Sequence, residues 1–357
     1  MWKFWIGCFS IITAAHAAEP DVLLMGNSYI MSNDLAGLVD NVFQDAGYDP
    51  NVEKLASGGL TLGDHLDRTE KKGSLWHEAL VTGEYTWDWV MIHDQSQIPG
   101  FPQSNAQWQE SAQAAVGLNE KIETNGAETL FMMTWGRRDG DSQNTFMYPD
   151  FSTMQSLLEE GYHNYAQSCS TDKRPAWIAP VGLAFAYIHD EITNSGADPV
   201  KTGSLFHDLY VADGSHPSLK GSVLAAYVIY ATITGSSPVG LSGSNLGVDG
   251  SDLLDLQEAA AATVFNKDHG IAYPWEEDST DTEEQDTSDS KSDPEATSEE
   301  SDSLDSEEEE VSPCGCDGSG GLPLGWLWMG LMIPLYARFR RHRDMEVSVL
   351  AEPNTWL

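Results

Sequence analysis

Positive charge is what this sequence has least of: 18 Lys and Arg stand against 56 Asp and Glu in 357 residues, a formal net charge of −38. A chain with that balance repels polyphosphate, which argues against nucleic acid as a partner. Cysteine is also scarce, and the four present, Cys8, Cys169, Cys314 and Cys316, do not make a disulfide framework. Cys314 and Cys316 stand too close for an ordinary structural bridge, and Cys169 has no partner in the central part of the chain, so a free, buried thiol is expected there. No Cys/His zinc spacing occurs and the ten His are scattered, so no metal site is expected. A further absence is the lipase elbow Gly-x-Ser-x-Gly: Ile30 occupies the place of its second glycine after Gly26-Asn27-Ser28-Tyr29, which argues against the usual α/β-hydrolase.

The acidity is unevenly spread. Residues 276–312 carry 18 acids and one base, Lys291, and cannot hold a packed core; a self-repelling, solvated stalk is expected. Residues 19–275 carry 34 acids and 12 bases with enough apolar and aromatic side chains for one sizeable core, so a single globular domain is expected there. The two ends look like addresses. Lys3, the apolar run 4–15 and Ala15-His16-Ala17 predict a secretory signal peptide over 1–17, and with it export. Residues 313–343 combine Cys314-Gly315-Cys316, an apolar stretch over 322–336 and Arg338, Arg340, Arg341 and Arg343, which predicts membrane attachment at some stage with the basic end cytoplasmic. This arrangement resembles the C-terminal sorting tags of myxobacterial-type surface proteins, which implies sorting machinery as a partner and a cell-surface or membrane-anchored protein, released if the tag is cut. The tail 344–357 is an overhang that departs from that pattern.

Between the ends, short apolar runs alternate with longer amphipathic stretches. Runs at 21–25, 52–56, 87–92, 129–134 and 176–181 read as five buried parallel strands, and 33–44, 103–124 and 151–167 are long enough for crossover helices. A three-layer α/β/α sandwich on a parallel sheet of about five strands follows. Ligands of such sheets bind beyond the carboxyl ends of the strands, so chemistry is sought there.

Four blocks occupy those positions. Ser28, after the first strand, is either a helix N-cap or a nucleophile on a strand-to-helix turn. Ser57-Gly58-Gly59-Leu60-Thr61 follows the second strand, where glycine lets backbone amides approach a ligand or simply makes a turn into a helix. After the third strand comes His93-Asp94-Gln95-Ser96-Gln97, polar at once after Met91-Ile92, with Gln95 able to donate to an oxyanion. Late in the chain, Asp213-Gly214-Ser215-His216-Pro217-Ser218 precedes a helical stretch over 219–234. An Asp three residues before a His can hold one ring nitrogen while the other faces a cleft; alternatively Ser215 or Ser218 caps the helix. His189-Asp190 and His207-Asp208 also pair a base with an acid, but as neighbours on helices they are expected to point apart into solvent.

Taken together and in this order, the blocks resemble the SGNH (GDSL-like) hydrolase superfamily over roughly 21–234, most of all its bacterial branch with a Gly-Asn-Ser opening. The resemblance implies a flavodoxin-like SGNH fold, no metal or organic cofactor, and a serine ester hydrolase working through an acyl-enzyme. Carried over, Ser28 is the nucleophile, His216 its base and Asp213 the orienting acid; Ser28 and Gly59 offer backbone N–H groups and Gln95 its side chain to the oxyanion. The third block departs from the superfamily's Gly-x-Asn-Asp, which leaves Gln95, Gln97 and His93 as competitors for that last role. Small-molecule or polysaccharide esters are the implied substrates, with acetylated carbohydrate leading. Trp135 and Arg137, after the fourth strand, are candidate substrate contacts together with His93, or else parts of a structural loop network. The alternative function is an anchored glycan-binding α/β domain with little or no hydrolysis.

Overall fold

A β-sheet buried on both faces needs apolar side chains in both directions, and the first strand meets that demand: Val22, Leu23, Leu24 and Met25 are all fully buried. The computed structural model describes residues 19–248 and 250–277. Five parallel strands run β1 (Asp21–Gly26), β2 (Asn51–Ala56), β3 (Trp89–Ile92), β4 (Glu128–Met132) and β5 (Trp177–Ala179), in the order β2-β1-β3-β4-β5. The order reverses at β1, so the crevice between the carboxyl ends of β1 and β3 is the topological switch point.

The helices cover both faces. Short α1 (Ser28–Met31) leads into α2 (Leu35–Asp45), whose Leu35, Leu38, Val39, Val42 and Phe43 form the buried stripe that helical periodicity requires. On the other face α3 (Leu62–Glu70), α4 (Leu75–Leu80), α5 (Ala106–Asn125) and α6 (Phe151–Cys169) pack against one another. The chain returns to the α2 face with α7 (Val181–Asn194), the single turn α8 (Leu205–Asp208), α9 (Leu219–Thr234) and α10 (Gly250–Val264), ending in α11 (Pro274–Glu277). Helix α9 is buried from Gly221 to Thr232, sealed in by α2, α7 and α10, which fixes the position of the loop before it.

All five expected strands form. The third is shorter because Trp87 turns away to donate its indole N–H to Ala79 O at 3.0 Å, and the fifth because Pro180 starts α7. Cys169 is free and buried, as expected, and burial pushes its thiol up to about 12. His189 and His207 do not behave as expected. Each contacts its neighbouring carboxylate, at 2.8 Å to Asp190 and 3.1 Å to Asp208, and His189 lies against Phe151 and Phe206 rather than in solvent. No described helix is long and apolar enough to cross a membrane. The expected signal peptide at 1–17, the expected stalk over 276–312 beyond residue 277, and the expected segments over 313–343 and 344–357 lie outside the described residues.

Candidate active site

Strand β1 ends on Gly26, where nothing larger fits: a Cβ there would overlap the His93 imidazole and come within 2.6 Å of Ile30. Asn27 then caps α1 by accepting from Tyr29 N–H at 3.2 Å, which places Ser28 at the first turn. The other end of the Asn27 amide donates to Leu60 O and Asp94 O, both at 3.1 Å. One buried side chain thereby ties the first block to the second and the third.

Two fully buried histidines finish this frame. His93 donates from Nδ1 to Asp94 O at 3.0 Å and accepts the Asn27 N–H on Nε2 at 3.4 Å, so one neutral tautomer satisfies both bonds. His65 donates to Gly26 O at 3.1 Å and accepts from the Trp76 indole at 2.7 Å. Burial drives the His93 pKa down to about 4; burial, with His93 alongside, drives that of His65 down to about 3. Asp94 is fully buried too, and loss of water raises its pKa although Ser111, Gln95 N–H, Leu62 N–H and Tyr165 all hydrogen-bond to it.

Ser28 and His216, 188 residues apart, meet here: Ser28 Oγ lies 2.8 Å from His216 Nε2. His216 Nδ1 is 2.7 Å from Asp213 Oδ2, while Asp213 Oδ1 accepts the N–H groups of Ser215 and His216 at 2.8 and 2.9 Å. Desolvation raises the Asp213 pKa, but these bonds outweigh it and hold the carboxyl below its ordinary value. The loop is clamped from several sides. Asn33 donates to Pro217 O at 3.1 Å and to Ser222 Oγ at 2.9 Å, from a left-handed backbone (φ 54°) that costs a non-glycine residue on the order of 1 kcal/mol. Trp135 donates to Ser215 O at 3.1 Å, and Arg138 N–H to Gly214 O at 2.8 Å. Ser218, not Ser215, caps α9.

The rings of Phe185, Trp135 and Tyr29 stack in sequence with centroids 4.6 Å apart at each step, and Tyr29 presents its edge to His216 at 5.5 Å. This corrects two expected substrate contacts. Trp135 is the fully buried middle of the stack, and His93 is sealed under Gly26, so neither offers a face to a ligand. Arg137 retains partial exposure, but Asp141 Oδ1 holds its guanidinium at 2.6 Å, and its Nε is buried without a partner. The structural-network reading therefore accounts for most of the loop after β4. Gly59 lies in the exposed turn after β2 with φ +71°, and no atom lies within 4 Å of where a Cβ would stand on it or on Gly58. Gln95 accepts from Gln97 N–H at 3.0 Å and makes a long 3.4 Å contact from Nε2 to Gln97 Oε1, so the loop orients its amide. The structural parts played by Asn27, His65 and Asn33 were not expected; Asn27 lies in the Gly-Asn-Ser opening, while no short motif marks His65 or Asn33. Among the described residues no cluster of His, Cys, Asp and Glu could hold a metal ion.

Ser28, His216 and Asp213 thus form a hydrogen-bonded series at the switch point of the sheet, and comparison with solved structures bears on the fold around it. The chain shares its fold with a DUF4886 family protein from Bacteroides uniformis, at TM-score 0.54 and 17% identity, covering 72% of this chain and 99% of that one. A candidate SGNH hydrolase from Slackia heliotrinireducens is 25% identical at TM-score 0.45, covering 59% and 97%. A GDSL-like lipase from Bacteroides thetaiotaomicron is 16% identical at TM-score 0.35, covering 59% and 86%. No family model and no curated protein matches the sequence. SGNH and GDSL-like hydrolases are among the structures this chain is similar to, and the five-stranded parallel sheet with helices on both faces is the fold it has in common with the DUF4886 family protein.

Proposed function

We propose that the protein is an exported serine ester hydrolase that removes O-acyl groups, acetyl foremost, from carbohydrate, and that the stalk and C-terminal segment present it at the cell surface. The observation that carries the hydrolase reading is the continuous relay from Ser28 through His216 to Asp213. His216 takes the proton of Ser28 as Oγ attacks the ester carbonyl, then gives it to the departing alcohol. Water repeats the cycle on the acyl-enzyme, and Asp213 keeps the imidazole in the required tautomer throughout. The N–H groups of Ser28 and Gly59 and the amide of Gln95 receive the oxyanion; one such donor contributes about 2.7–4 kcal/mol to the transition state. No step requires a metal or organic cofactor.

Exposure supports a bulky, hydrated alcohol. The side chains of His216 and Asp213 are 39% and 49% exposed, and the Gly58-Gly59 turn is open, so a polymer can lie across the rim. Arg137 lies on the same carboxyl edge, within reach of hydroxyls. A glycan-binding role without hydrolysis gives no reason for a Ser28–His216 hydrogen bond of 2.8 Å. The test combines a fluorophosphonate probe with p-nitrophenyl acetate. Labelling and turnover are expected from the wild type and absent from Ser28→Ala, with a fall in kcat of about 10⁴-fold or more; labelling that survives the substitution overturns the reading.

A further inference from the structure

A cavity of about 200 Å³ opens beside the third block, between the turn Ile98–Gly100, the start of α5 and the middle of α6. Its aromatic walls are Phe101 and Trp108, and each is braced from behind by a tyrosine. Phe101 stacks on Tyr148 with centroids 6.2 Å apart, and Trp108 on Tyr165 at 6.0 Å. Gln103, Glu160 and Asn164 line it as well, and no Lys, Arg or His does.

The floor is tightly fitted. A Cβ on Gly161 would overlap the Pro99 carbonyl, and one on Gly100 would come within 2.8 Å of the Tyr148 hydroxyl, so the turn rests directly on α6 and on Tyr148. The same two tyrosines reach the catalytic frame. Tyr148 donates to Gln97 O at 2.8 Å, and Tyr165 donates to Asp94 Oδ2 at 3.3 Å. Phe101 follows Gln95 by six positions, so the cavity lies within about 20 Å of the third block along the chain.

From these observations we infer that this cavity is a subsite for a neutral sugar ring of the polymer whose ester is cut at Ser28. The inference rests on the carbohydrate reading above and adds where the chain is gripped. Fixed aromatic faces suit the C–H face of a sugar, and amide and carboxylate groups suit its hydroxyls. The carboxylate of Glu160, on a domain with 34 acids and 12 bases, rejects uronates and fatty-acid carboxylates. The volume, about 200 Å³, is too small for a long acyl chain.

The test uses the protein carrying Ser28→Ala, so that binding is read apart from hydrolysis. Saturation-transfer NMR is recorded with unacetylated xylohexaose and cellohexaose, and with hexagalacturonate and decanoate as charged competitors. At least one neutral hexamer is expected to show transfer, cut five-fold or more by Trp108→Ala and reduced by Gln103→Ala, a change in an exposed loop that keeps the test valid if the tryptophan variant does not fold. The proposal is overturned if neither neutral hexamer shows transfer, if transfer survives both substitutions, or if only hexagalacturonate or decanoate binds. A failure of fluorophosphonate labelling at Ser28 instead strikes the esterase reading, so the two results are read separately.

Discussion

The two halves of the proton relay are held in different ways. Ser28 stands on a buried platform: Asn27 is 4% exposed, and His65, His93 and Asp94 are fully buried. His216 and Asp213 stand at the rim, roughly half open to water, held by hydrogen bonds from Asn33, Trp135 and Arg138 to the backbone around them and by the edge of Tyr29. Ser28 is positioned by close packing in a buried frame, His216 by tethers. Damage to the platform should therefore appear as lost stability, and damage to the rim as lost turnover in a protein that still folds.

The largest separation of the two is expected from Asp213→Asn. Asn keeps an oxygen for the N–H groups of Ser215 and His216 but holds the imidazole in the wrong tautomer, so kcat should fall about 10⁴-fold while the melting temperature stays near that of the wild type. A large loss of stability would erase the contrast. Gly26→Ala is the opposite probe: its methyl collides with the His93 ring, and a loss of about 3 kcal/mol or more in urea unfolding is expected.

Acid probes the platform without mutation. His65 and His93 have folded pKa values of about 3 and 4, below the unfolded value of about 6.5, so between these limits the unfolded chain binds protons that the folded chain refuses. The stability they contribute is complete above pH ~6.5 and is lost as the pH falls, by about 2.5 kcal/mol for each ring at pH 4.5. Urea midpoints measured from pH 7 to 4.5 should show the slope, and His65→Gln should reduce it by about half, leaving the share of His93. Smallest is the effect of Trp135→Phe, which keeps an aromatic ring in the stack while removing the N–H donated to Ser215 O and part of the buried ring. We expect kcat to fall about five-fold with KM unchanged, as loss of one hydrogen bond of about 1 kcal/mol implies. A change in KM would return Trp135 to the substrate side.

How much of this the sequence revealed follows from the range of the interactions. The strands were legible because parallel strands buried on both faces read as apolar runs, and α9 because its periodicity and the preceding Ser218 are local. Ser28, Asp213 and His216 stood out because each sits where an element begins or ends, the last two in a spacing that lets them pair. Whether an aromatic or a histidine faces solvent is decided by what packs on it from elsewhere in the chain. Trp135 is enclosed by Tyr29 and Phe185, and His93 by Gly26, 67 positions earlier. Nothing adjacent to either residue carries that information. The same holds for His65, whose partners are Gly26 O and the Trp76 indole, and for His189, enclosed by Phe151 and Phe206.

The Asn33 tether bears on the order in which the protein comes into being. Its acceptors, Pro217 and Ser222, are translated 184 and 189 residues after it. By that time all five strands have been synthesised and can already have paired. A nascent polypeptide halted before Asp213 therefore carries its complete sheet and its serine, yet lacks the acid and the imidazole of the proposed relay, and the loop that brings them is fixed only once α9 follows it.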